Sequence, residues 1–141
     1  MLLGIVIWHI VDDVVLDLVV YSSNSSSRRA NAWVEELRSN GFHVHLVEAR
    51  VEDLCPRLHI PRQFAAEVCA ITENPARYVL SGYVPAHAIS RMLRDKPDFD
   101  GLVAPDPQTR TEGSGADPEL RQPIWGFWAD GHHVLYAGSE G

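Results

Sequence analysis

The sequence predicts an α/β fold built on a mixed central sheet, and three observations carry that reading. Residues 14–21, VVLDLVVY, form a Val- and Leu-rich run of the kind found in strands buried on both faces. After a Ser-rich loop, Ala30, Trp33, Val34 and Leu37 recur at helical spacing, and Gly41 stands where a helix would stop. Farther on, two strand-like runs, residues 66–72 and 77–81, flank the turn signal Asn74-Pro75 and suggest a hairpin.

Taken in order, residues 3–11 read as a short extra strand, broken from the next run by Asp12-Asp13. Asp17 is the one charge in the central strand. Its neighbours predict an exposed edge or a local pair for it rather than a catalytic acid. The first helix is expected over about Ser27 to Asn40, with a serine capping its free N–H groups. In residues 43–49, Val44 and Leu46 alternate with His43 and His45, the period-two pattern of a strand. Strand, helix, strand in this order predicts a parallel crossover pair.

Residues 51–60 suit a short helix or turn, in which Pro56 is compatible with a first helical turn but not with an interior. After the hairpin, Gly82-Tyr83-Val84-Pro85 turns the chain into a second amphipathic helix. Its apolar face is Ile89, Met92 and Leu93, and Pro97 closes it. Residues 105–123 are rich in Pro and Gly and poor in apolar residues, and are expected to form a long flexible loop. The last segment, IWGFWADGHHVLYA, predicts a C-terminal β-hairpin turning at Asp130-Gly131. Trp125, Phe127 and Trp128 are expected to cover a core edge.

The 141 residues are enough for a single domain, 1–141, with residues 1–13 as an apolar N-terminal extension. A net charge of −7, from 12 basic and 19 acidic residues, argues against nucleic-acid binding, which needs a basic face. The N-terminal run lacks a basic n-region and a small-residue cleavage site, and its length falls short of a membrane span. The chain is therefore expected to have no transmembrane span and to be cytoplasmic. The apolar N-terminus and the aromatic hairpin are surfaces on which a homodimer or another protein partner could form.

The order of elements, a βαβ unit followed by a hairpin and a helix, is thioredoxin-like. The wording points further. The run WVEELRSNGFHVHLVE, then RLHIP, then YVLSGYVPAHAISRML, then PDFDGLVAP, resembles a small bacterial family known as domain of unknown function 411. That family is commonly described as metal- or copper-binding. The resemblance covers roughly residues 14–137, and its most specific piece is Tyr78 to Leu93.

The resemblance implies a cysteine-rich first loop, a Cys-His-Thr run before the hairpin, a histidine just before Val-Pro, and methionines in the late Gly/Pro-rich loop. This chain departs at each place. Its first loop carries Ser22, Ser23, Ser25, Ser26 and Ser27. The run before the hairpin is Val68-Cys69-Ala70-Ile71-Thr72, Tyr83 precedes Val-Pro, and residues 106–117 hold no methionine. Serine is close in size to cysteine, but its hydroxyl cannot replace a thiolate as a soft-metal ligand or redox nucleophile.

The leading expectation is a non-catalytic, ligand-depleted relative of copper-linked proteins, kept as a binding or interaction scaffold and needing no cofactor. An alternative is a metal-binding protein with a rebuilt copper or zinc site using Cys69 and histidines, of which His43 and His45 share one strand face. His132 and His133 are adjacent, so on a strand they point to opposite faces and chelate poorly. A thiol-dependent redox enzyme comes third. It needs a reactive Cys55 or Cys69, and these two cysteines do not form a CxxC pair. The Ser-rich loop also offers a weak anion-binding set, Ser25, Ser26, Ser27 and Arg28, at a helix start.

Overall fold

Seven strands form one mixed sheet in the order β2-β1-β3-β4-β5-β6-β7 among the residues described by the computed structural model, 16–74, 76–104 and 123–137. The strands are β1 (Leu16–Ser22), β2 (Phe42–Glu48), β3 (Val68–Thr72), β4 (Val79–Ser81), β5 (Gly101–Val103), β6 (Ile124–Phe127) and β7 (His133–Ala137). The helices are α1 (Arg28–Ser39), α2 (Val51–Arg57) and α3 (Ala86–Asp95), with a 3₁₀ turn at Arg62–Phe64. The expected strand over residues 3–11 and nearly all of the expected 105–123 loop lie outside the described residues.

The local signals work as the sequence implies. Ser27 is the N-cap of α1, and its Oγ accepts the Ala30 N–H at 3.2 Å. Ala30, Trp33, Val34 and Leu37 are the buried residues of that helix. Gly41 has φ +92°, a left-handed conformation that glycine adopts without steric cost, and β2 begins one residue later. Along β2, Phe42 and Val44 are buried while His43 and His45 are exposed. β1 and β2 pair in parallel, and β3 and β4 pair as an antiparallel hairpin.

Three features differ from the expectation. Pro56 sits in the last turn of α2, not in a first turn. Its missing N–H removes a single helical bond, and the helix ends one residue later, so the cost is small in so short an element. β5 was not expected as a strand: Gly-Leu-Val is too short to show a period, and unlike the equally short β4 it has no turn signal that pairs it with a neighbouring run. The C-terminal hairpin is no appendage. β6 pairs antiparallel with β5, so β6 and β7 extend the central sheet.

The central strands of the sheet are buried on both faces, by different elements. On one face Leu18, Val20, Val68, Ala70, Leu80 and Leu102 pack against α1 and α3. On the other, Cys69, Val79, Val103 and Phe127 pack against Val51 and Cys55 of α2, with Ile60 and Phe64 beside them. Phe127 is fully buried, and Trp125 and Trp128 are partly buried against the two clusters, the core-edge role expected of them.

Candidate functional site

β1, β2, β4 and β5 all run in one direction, and β3 runs against them. These four strands therefore end at one edge of the sheet, where β3 begins. The Ser-rich loop, the start of α2, the 60–67 segment and the Gly82–Pro85 turn all gather there. Loops at the carboxyl ends of strands are where α/β sheets most often build their sites.

Four serines of this loop are engaged by the protein through their hydroxyls, and Ser26 through its backbone N–H. Ser22 Oγ donates to the Asn24 carbonyl at 2.9 Å. Ser23 Oγ accepts the Val51 N–H at 3.1 Å, which ties the loop to the first residue of α2, and donates weakly to Glu52 at 3.4 Å. Ser25 Oγ donates to Glu48 at 2.6 Å, and Ser27 caps α1. The Ser26 N–H donates to the Asn24 side chain at 2.9 Å. Of the anion-binding set, then, Ser25 meets a carboxylate and Ser27 a helix N–H, while Arg28 is exposed and pairs with no carboxylate among the described residues.

Across the loop, Glu67 Oε2 accepts from both Arg29, at 3.2 Å, and the Tyr83 hydroxyl. The Arg29 guanidinium also lies over the Tyr83 ring, 5.4 Å from its centroid. Burial and the neighbouring Glu67 carboxylate push the Tyr83 phenol well above its ordinary range. Tyr83 stacks edge-on against Trp33, whose indole N–H donates to the Val84 carbonyl at 2.8 Å.

Two clefts meet at this edge. The smaller, about 270 Å³, is lined by Ser22, Ser23, Asn24, Ser27, Glu67, Val68 and Tyr83. The larger, about 760 Å³, lies between α2 and the 60–67 segment. Val51, Cys55 and Ile60 supply its apolar floor, and Ser23, Glu52, Arg62 and Glu67 its polar atoms. Ser23 and Glu67 belong to both.

Cys69 lies outside the smaller cleft. Its β3 neighbour Val68 lines that cleft, while Cys69 points to the opposite face, fully buried with Cys55 in the second cluster. Burial pushes the Cys69 thiol up to about 12, and the Cys55 thiol is also raised. The two cysteines are free, though α2 does pack over β3 as a bridge between them would require.

His43 and His45 share a sheet face with Cys69, because Val19 pairs with His45 and Tyr21 with Cys69. They remain two strands apart, so the nearer histidine is about 12 Å from Cys69 between Cα atoms. His43 instead sits 3.9 Å from Asp17, which also accepts from Asn74 at 3.2 Å, the local pairing expected of that aspartate. His132 pairs with Asp130 at 2.9 Å, and His133 packs edge-on against Phe64 and Trp125. Among the described residues no group of three or more His, Cys, Asp or Glu side chains is placed to hold a metal ion. None of their helices is long and apolar enough to cross a membrane.

Sequence reasoning found the Ser-rich loop and Tyr83 but missed Glu48, Glu52 and Glu67. These glutamates lie in three different segments, and no local pattern marks them as neighbours of the loop.

The chain matches no protein-family model and no curated protein. Among solved structures it is similar to copper resistance protein CopG in two forms. Form 2 has a TM-score of 0.69 and 22% identity, over 88% of this chain and 98% of that one. Form 1 has a TM-score of 0.68 and 21% identity, over 87% of this chain and 96% of that one. At that level of identity the likeness is one of fold.

Proposed function

We propose that this chain is a ligand-depleted relative of copper-linked proteins of the same fold, kept as a non-catalytic binding scaffold. One observation carries the reading. The first loop and the position before Val-Pro, where a soft-metal site of the resembled family would draw cysteines and a histidine, converge here on the smaller cleft. The groups that line it are serine hydroxyls, an asparagine, a carboxylate and a phenol.

That donor set does not fit copper. Thiolate and thioether sulfur select Cu(I), and imidazole suits Cu(II). Here the serine hydroxyls are occupied by protein partners, and Glu67 is held by Arg29 and Tyr83. Cys69, the one thiol near the family position, faces away and is held in its protonated form. The finer fold reading, thioredoxin-like, is supported by the order β2-β1-β3-β4 with β3 antiparallel to its neighbours, and the proposed family is domain of unknown function 411. The same buried, weakly acidic thiols speak against a redox enzyme.

The test is metal content and titration of untagged protein with Cu(I), Cu(II) and Zn(II), thiols kept reduced. The expected result is no stoichiometric binding beyond the weak background of surface histidines. One-to-one copper binding at submicromolar affinity, abolished by Cys69→Ser or by His43→Ala with His45→Ala, would overturn the reading and establish a rebuilt site.

A further inference from the structure

The larger cleft is distinct in chemistry from its neighbour. Its floor is apolar, with Val51, Cys55 and Ile60 buried beneath the opening. Its volume of about 760 Å³ is in the range of sites that hold small molecules. Three ionisable side chains, Glu52, Arg62 and Glu67, line it beside Cys55. Glu67 is already neutralised by Arg29 and bonded by Tyr83.

The other two are exposed and almost without protein partners. Glu52 receives one long bond, from Ser23 at 3.4 Å. Arg62 forms no ion pair or side-chain hydrogen bond among the described residues, and the two do not pair with each other. Glu52 stands on α2 and Arg62 on the 3₁₀ turn, so an anion and a cation from two different segments line one cleft with an apolar floor.

We infer that this cleft binds a zwitterion with an apolar body, of the class formed by apolar amino acids and short apolar peptides with free termini. The ammonium group meets Glu52, with Ser23 beside it, and the carboxylate meets Arg62. The apolar side chains cover Val51, Cys55 and Ile60. Arginine suits the carboxylate end, since its planar fork matches two oxygens at once. The inference rests on the scaffold reading in one respect: the cleft is the binding surface that such a scaffold would keep.

The test is a titration of the ¹⁵N-labelled full chain, followed by NMR, with leucyl-phenylalanine, with free leucine, and with the dipeptide blocked as N-acetyl and C-amide. Saturable shifts are expected at the amides of Ser23, Val51, Glu52, Cys55, Ile60, Arg62 and Ala66. Blocking both ends should weaken binding by about tenfold or more. Glu52→Gln and Arg62→Gln, both on exposed side chains, should each weaken the free dipeptide by up to about fivefold. Arg57→Gln, beyond the cleft lining, should leave it unchanged. Saturation by leucine as readily as by the dipeptide assigns the site to amino acids, and saturation by the dipeptide alone assigns it to peptides.

Absence of saturable shifts at millimolar ligand, equal binding of the blocked dipeptide, or insensitivity to both glutamine variants would overturn the inference. The two readings fail separately. A chain that ignores both copper and the dipeptide sinks this inference and leaves the scaffold reading standing, whereas copper binding sinks that reading without touching the cleft.

Discussion

Arg29 and Tyr83 converge on a single atom, Oε2 of Glu67, while the arginine also lies across the tyrosine ring. The three residues come from α1, the approach to β3 and the turn after β4, so the cluster ties three segments together at the sheet edge. Tyr83→Phe keeps the ring against Trp33 and removes the hydroxyl. It should cost about 0.5–1 kcal/mol, small because Glu67 and Arg29 are nearly half exposed. A double-mutant cycle with Glu67→Gln, read by urea unfolding, should recover most of that as coupling. No coupling would mean that the bond contributes nothing to folding.

Alkaline pH should weaken the fold through its tyrosines. Tyr136 is pushed up to about 12 by burial and by the Asp95 carboxylate, and burial raises Tyr78 and Tyr83 too. A phenol with a raised folded-state value stays protonated in the native chain after its unfolded counterpart, near 10, has begun to ionise. Stability is therefore intact below about pH 10 and falls as pH rises from about 10 toward 12. Urea midpoints should drop across that window, and Tyr136→Phe should flatten the drop.

Both thiols should be nearly inert in the native state at neutral pH. Cys69 is fully buried and Cys55 almost so, and the thiolate is the reacting form. Alkylation followed by mass spectrometry should show slow modification of both, accelerating only with unfolding. Rapid, stoichiometric labelling of either cysteine would revive a thiol-based activity.

Gly101 is required by its neighbour. A Cβ built there lies 1.9 Å from the Val79 carbonyl oxygen, a backbone atom of the paired strand β4 that cannot swing aside. Gly101→Ala should destabilise the protein by about 3 kcal/mol through overpacking. A thermal midpoint within a degree or two of the parent would show that β4 and β5 can separate at little cost.

Thr72 closes the β3–β4 hairpin from inside. Its Oγ1 donates to the Ala76 carbonyl at 2.7 Å and accepts the Tyr78 N–H at 2.8 Å, and the residue is fully buried. Thr72→Val preserves shape but orphans two backbone groups, at a cost of about 2 kcal/mol. Thr72→Ser should cost much less, since it keeps both bonds.

Wherever an element was long enough to show a period, it could be read in advance. The spacing of Ala30, Trp33, Val34 and Leu37 located α1, and the alternation of His43, Val44, His45 and Leu46 oriented β2. β5 escaped because three residues carry no period and, unlike β4, no turn signal pairs it with a neighbouring run. α2 was legible only as a helix or turn, because Pro56 penalises a helix that burial of Val51 and Cys55 nevertheless holds in place.

The candidate site divides in the same way. That the first loop carries serines and no cysteine is a matter of residue identity, and the sequence alone established it, together with the order of elements and the acidic balance. Which groups face the loop depends on how the strands are ordered. Glu67 and Tyr83 reach it because β1 is followed across the sheet by β3 and β4, and Glu52 reaches it because α2 starts where β2 ends. Cys69 turns away for an equally spatial reason: adjacent residues of a strand point to opposite faces, so once Val68 faces the α1 side, Cys69 must face α2. The opposed charges of Glu52 and Arg62 over an apolar floor have no signature in the chain, because a cleft is a relation between segments and forms only when they pack.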